Sequence, residues 1–145
     1  MVWKEICPEI EAVVIEDHDR EVIPDHKLVL VAFDKAEPAF FLCGLLNSVP
    51  VGLFVRSYAV QTSISGHVFD YVALPQYDSK DASHRKIVRL ARDCHKADGA
   101  KLESLEAALD EAVAITLGIP TANLTIMRDE LQLLRGGGME ASLTD

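Results

Sequence analysis

The sequence predicts an α+β fold with a small antiparallel sheet in its N-terminal half, helices packed on that sheet, and a mainly helical C-terminal half. Short β-branched and apolar runs alternate with polar turns in the first half, whereas apolar residues later recur with the 3.6-residue period of a helix. The chain has 145 residues, of which 49% are hydrophobic and 26% charged. That length suits one domain with a core of its own. We predict a single domain over residues 1–135 and a disordered tail over residues 136–145.

The predicted strands come from four short apolar segments. Glu11–Glu16 and Lys27–Phe33 have the length and composition of strands, and the polar turn between them favours an antiparallel pair. Trp3 and Ile6 indicate a further short strand before them. Val68–Leu74 predicts a later strand, which Pro75 ends.

The predicted helices account for most of the remaining chain. Asp34 is placed to cap the first of them, and Pro50 cannot continue it. Thr121 or Asn123 is placed to cap the last, which carries leucines on one face. The predicted helical segments are Ala39–Leu46, Val51–Tyr58, Ser83–Lys96, Lys101–Leu117 and a final helix that reaches Leu134.

Cysteine usage and the absence of a long apolar run indicate a cytoplasmic chain. Cys7, Cys43 and Cys94 are odd in number and widely spaced, so they predict neither a disulfide framework nor a metal motif. We expect each to be a small buried hydrophobic residue. The first residues lack the features of a signal peptide, and no apolar run reaches the ~18 residues of a membrane span.

Charge is distributed unevenly along the chain. The net charge of −9 argues against a protein that coats nucleic acid by itself. Residues 80–101 nevertheless hold seven of the 14 lysines and arginines, against three acidic residues. This basic segment is the first indication of function.

The basic segment contains one predicted amphipathic helix, Ser83–Lys96. Its apolar face consists of Ile87, Leu90, Ala91 and Cys94. The opposite face carries a stripe, which we call the basic stripe, of Arg85, Arg89, Arg92 and Lys96. Guanidinium groups along a rod are suited to contacting successive phosphates. An ordinary solvated face, balanced by the acidic helix that follows, explains the same pattern.

Other chemical sites find little support in the sequence. His84 and His95 share a side of the helix, but no Cys, Asp or Glu completes a metal-ligand spacing with them. Cys94 and His95 are adjacent in a helix and therefore diverge, which disfavours a nucleophile pair. The loop Gln61–Gly66 offers hydroxyl groups for phosphate or base contacts, and a plain connecting loop is the alternative. We predict no metal and no cofactor.

Several stretches, in order, resemble one known family. The most specific is Glu37–Ser48, with the sequence EPAFFLCGLLNS. The others are Val2–Lys4, Ala12–Val14, Ile23–Lys27, Arg56–Tyr58, Thr62–Ser65, Leu74–Asp78, Ser83–His84, Leu109–Val113 and Leu117–Gly118. Together they make residues 2–134 similar to the C-terminal specificity (TaqI-like target-recognition) region of adenine-N6 DNA methyltransferases in restriction-modification and phage-defence systems.

The chain departs from such enzymes in one respect. Their catalytic module carries a glycine-rich cofactor loop and an Asn/Asp-Pro-Pro-Tyr/Phe motif that holds the flipped adenine. This sequence contains neither, and it has no Pro-Pro pair. We therefore expect no methyl transfer by this polypeptide alone.

The resemblance implies a module that recognises and positions DNA for a separate catalytic module. We expect the basic stripe to hold phosphates of double-stranded DNA. Weaker candidates for contact with the bases or the DNA backbone are Arg56, Gln61, Thr62 and Ser65. The alternative is a scaffold domain that packs against a methyltransferase core without reading DNA. Self-association is a further expectation, since a domain without its partner exposes apolar surface.

Overall fold

The computed structural model describes residues 1–7, 9–16, 23–58, 64 and 72–140, the last six as backbone only. Its fold is α+β, with a two-stranded antiparallel sheet near the N-terminus and mostly helical structure after it. The elements in chain order are β1 (Val2–Lys4), β2 (Leu28–Leu30), α1 (Ala36–Leu46), α2 (Val49–Tyr58), α3 (Ala82–Cys94), α4 (Gly99–Thr116), a 3-10 turn (Thr121–Asn123) and α5 (Leu124–Glu140).

The strand pairing differs from the pairing that the sequence predicts. β1 lies against β2, with Trp3 opposite Val29, and the segment Glu11–Glu16 joins β1 only through a single bridge between Val13 and Val2. The predicted pair of residues 11–16 with residues 27–33 is therefore wrong, because β1 pairs with both. Of the predicted strand Val68–Leu74, residues 68–71 lie outside the described residues, and residues 72–74 have no strand pairing.

Side chains from the helices take the backbone hydrogen bonds that a longer strand would use. The Asn47 amide accepts from Ala12 N–H and donates to Ala12 C=O, both at 2.8 Å. His95 Nε2 accepts from Val14 N–H at 3.1 Å. Because buried backbone groups need hydrogen-bond partners, these contacts satisfy Ala12 and the Val14 N–H without a regular ladder.

The core lies around α1. This helix buries Phe41, Cys43 and Leu45, and it packs against α2, α3 and α4. Gly44 permits the close approach of α3, since a Cβ at that position would lie 2.8 Å from Ile87 Cγ2. β1 contributes Trp3, whose indole N–H donates to Ile64 C=O at 3.1 Å.

The predicted ends at Leu46 and Tyr58 are confirmed, most other helix ends differ from the predicted ones by one to three residues, and α5 extends six residues beyond Leu134. The residue before α1 is Lys35, not Asp34, and it makes no side-chain capping bond. α3 ends at Cys94, two residues before the predicted end, so Lys96 lies in the following turn. α5 continues through the glycines to Glu140, while residues 141–145 lie outside the described residues. The domain boundary at residue 135 stays a prediction.

In the described part of the chain, no single helix is long and apolar enough to cross a bilayer. The pair α1 and α2 meets the requirement by length and composition only, and its axes are bent by 67°.

Candidate nucleic-acid interface

The start of α3 is fixed by a capping carboxylate. Asp81 accepts hydrogen bonds from the Ser83 hydroxyl and the Ser83 backbone N–H, both at 2.7 Å. These bonds lower the pKa of Asp81, the hydroxyl contributing most. A charged carboxylate at this position stabilises the helix by satisfying an unpaired N–H and opposing the helix dipole.

His84 anchors the same end of α3 to the core. Its ring packs 4.4 Å from the Phe41 ring, measured between centroids, and its Nδ1 accepts from Asp78 N–H at 3.0 Å. The ring nitrogen that faces Asp78 therefore carries a lone pair. His84 acts as a buried structural residue in this position.

The predicted apolar face of α3 is confirmed. Ile87, Leu90 and Ala91 are buried, and Cys94 is half-buried against the core. Val88 is buried as well, which extends this face beyond the predicted residues. Contacts with α1 and α4 account for this burial.

The basic stripe divides into groups with different surroundings. Arg89 is exposed and has no ion pair with any described residue, and Lys96 is exposed in the turn after α3. Arg85 is exposed too, but its Nη1 donates to Ser79 C=O at 2.8 Å. Arg92 lies against α1, with its guanidinium carbon 4.9 Å from the centre of the Phe40 ring. Solvent therefore reaches Arg85, Arg89 and Lys96 more freely than Arg92.

An open groove borders the stripe where α3 faces the first turn of α1. Its volume is about 800 Å³. Lys35 and Glu37 line one side, and Ser79 and Arg85 line the other, with Tyr77 among the wall residues. The groove thus joins a basic helix to a mixed-charge edge of α1.

The weaker candidates lie away from α3 or outside the described residues. Arg56 is half-buried in α2, and its Nη2 donates to Leu134 C=O of α5 at 3.4 Å, which gives it a packing contact. Gln61, Thr62 and Ser65 lie outside the described residues. Ile64, between them, is buried and donates its N–H to Glu5 C=O.

A cysteine–histidine pair that the sequence did not indicate lies beneath the α1–α3 contact. Cys43 Sγ is 4.0 Å from His95 Nε2, but its closer partner is Ala12 C=O at 3.2 Å. Burial raises the pKa of the Cys43 thiol to about 12. Since His95 Nε2 already accepts from Val14 N–H, it is not free to take a proton from the thiol. The pair is suited to packing and not to nucleophilic catalysis.

One buried acid, Asp110 of α4, was not singled out as a functional residue in the sequence. Its Oδ1 accepts from Val49 N–H at 2.8 Å, at the start of α2, and its Oδ2 accepts from Arg128 Nη2 of α5 at 2.9 Å. Asp110 therefore links three helices. An acid within an apolar helix face was the available signal, but its partners are remote in sequence.

Within the described residues, no cluster of three or more His, Cys, Asp or Glu is arranged to hold a metal ion. Comparisons with protein-family models, curated proteins and solved structures find no match.

Proposed function

We propose that this chain is a DNA-recognition and positioning module of a restriction-modification type adenine DNA methyltransferase, acting with a separate catalytic module. The ordered resemblance of residues 2–134 supports the family. The observation that carries DNA contact is the exposed side of α3, where Arg85 and Arg89 face solvent one helical turn apart. The apolar residues on the opposite side of α3 pack into the core, so the side with Arg85 and Arg89 faces outward.

The mode of contact is phosphate binding along one helix face. Arg85 and Arg89 are separated by about 6 Å along the helix axis, at 1.5 Å per residue. Phosphates of one DNA strand are spaced on a similar scale, so neighbouring guanidinium groups suit neighbouring phosphates. Such contacts set position on the duplex and carry no sequence information by themselves. The net charge of −9 weakens DNA binding by the chain alone, so the catalytic module adds further contacts and binding of the chain alone is measured at low salt.

The experiment is fluorescence anisotropy with mixed-sequence duplex DNA, titrated at several salt concentrations. We expect Arg89→Glu with Lys96→Glu to weaken binding and to reduce the salt slope by about two, because two phosphate contacts are lost. Arg92 is left intact because it packs on Phe40. The matched control reverses Lys4 and Lys27, two exposed lysines at the sheet. Equal affinity of both double variants would contradict DNA contact by α3.

The scaffold alternative has an observation of its own. Ile126 and Leu133 are 63% and 68% exposed, and they lie seven residues apart on α5, hence on one side of it. Ile115 of α4 is also exposed. If this apolar surface docks on a methyltransferase core, Ile126→Asp with Leu133→Asp should abolish co-purification of the two proteins while DNA binding is retained.

A further inference from the structure

The guanidinium group of Arg92 is held in place, but its N–H groups are not all hydrogen-bonded. Its side chain is 38% exposed, and the Phe40 ring supports the guanidinium group. Its Nε is buried and has no hydrogen-bond partner within the described part of the chain. Its Nη2 lies 3.9 Å from Glu37 Oε1, which is too long for a hydrogen bond. The outer nitrogens of Arg92 are thus oriented but weakly paired.

Glu37 is the acid of α1 that stands against the basic stripe. It belongs to the first turn of α1, lines the groove together with Lys35 and Arg85, and its side chain is 49% exposed. The other acid in the groove wall, Asp78, uses its Oδ1 to accept from Lys80 N–H at 2.8 Å. Glu37 is therefore the carboxylate best placed to compete with an arriving anion.

We infer that Glu37 occupies the place of a DNA phosphate at Arg92 and thereby limits the affinity of the basic stripe. This inference rests on the proposed DNA-binding function. Carboxylate and phosphate oxygens bind a guanidinium group in the same way, and a phosphate at hydrogen-bond distance binds Arg92 more strongly than Glu37 does at 3.9 Å. A half-exposed pair at 3.9 Å is weak, so a phosphate displaces it readily. The bound phosphate takes the place of the Glu37 carboxylate between α1 and α3.

The test compares duplex-DNA affinities of the wild type, Glu37→Gln and Glu130→Gln at low salt. Glu130→Gln makes the same change in net charge on an exposed position of α5, which packs on α2 and α4. We expect Glu37→Gln to bind the duplex about three- to fivefold more tightly, because the substitution removes a negative charge that repels the DNA phosphate. Glu130→Gln should stay within about 1.5-fold of the wild type because salt screens distant charges. Adding Arg92→Gln to Glu37→Gln should remove the gain, and thermal unfolding checks that each variant is folded.

The outcomes separate this inference from the function on which it rests. If the wild type binds DNA and Glu37→Gln gains no more than Glu130→Gln, the inference is overturned and the proposed function stands. If only Glu37→Gln binds, the inference holds and independent DNA binding by the natural chain is rejected. If neither binds, both are overturned. A gain that persists without Arg92 also overturns the inference.

Discussion

Asp110 shows how one buried side chain organises three helices. Its carboxylate accepts the first N–H of α2 and pairs with Arg128 of α5. We expect Asp110→Ala to lower the free energy of unfolding by about 2–4 kcal/mol, because both partners lose their acceptor. Asp110→Asn keeps an oxygen for Val49 and should cost about 1–2 kcal/mol. Urea denaturation measures both variants.

The control for Asp110 is its exposed neighbour. Glu111→Ala removes an acid from the outer side of the same helix turn and should change stability by less than about 0.5 kcal/mol. If Asp110→Ala and Glu111→Ala are equally stable, Asp110 does not join the helices as described.

Cys43 gives a prediction for alkaline stability. Burial raises the pKa of its thiol from 9.0 to about 12, so the unfolded chain loses this proton at a lower pH than the folded chain. Stability from this group is therefore complete below pH 9 and decreases as the pH rises toward 12. Between pH 7 and pH 10 the wild type should lose about 1.4 kcal/mol more than Cys43→Ala, as measured by urea denaturation at each pH. Parallel pH profiles for the two proteins would refute the buried thiol.

The sequence predicts the burial of Cys43 but not the role of Asp110. All three cysteines are expected to be buried, which is confirmed for Cys43, whereas Cys7 and Cys94 are half-buried. The role of Asp110 was not predictable, since its partner Val49 is 61 residues away and only the fold brings the two together.

At the scale of elements, the α1–α3 contact depends on a glycine. A Cβ at Gly44 would meet Ile87 Cγ2 at 2.8 Å and Ala91 Cβ at 3.3 Å. Gly44→Ala should lower stability by about 1–3 kcal/mol through overpacking, despite the better helix propensity of alanine. Thermal or urea unfolding measures the loss.

Gly52 in α2 offers the matched glycine. A Cβ there meets only Leu131 Cδ2, at 3.8 Å, which is an ordinary contact. Gly52→Ala should raise stability by about 0.5–1 kcal/mol through helix propensity. The same sign of change in both variants would contradict the close packing of α1 on α3.

Periodicity predicted the helices better than composition predicted the strands. The apolar face of α3 follows from spacing alone, because residues three or four positions apart lie on the same side of a helix. The pairing of residues 11–16 cannot be predicted from composition, because the side chains of Asn47 and His95 hydrogen-bond to the backbone of Ala12 and Val14. Those side chains belong to the ends of α1 and α3, which composition cannot bring to the segment.

At the scale of the whole molecule, charge and surface define the candidate site. The chain is acidic overall, and its lysines and arginines are concentrated in and around α3. The distribution of charge along the sequence predicted this concentration, and helical spacing predicted the outward position of Arg85 and Arg89. The sequence did not predict that Arg92 lies against Phe40 and near Glu37, because that position depends on how α1 packs beside α3. The site is therefore an exposed helix face with a groove at one edge.

The most direct test of DNA contact by α3 is amide NMR mapping with nitrogen-15-labelled protein and a short duplex at low salt. We predict that titration shifts the amides of residues 85–96 and of the first turn of α1, and that it leaves the amides of α5 unchanged. Shifts confined to residues 124–134 of α5, or no shift at any amide, would contradict DNA contact by the basic face of α3.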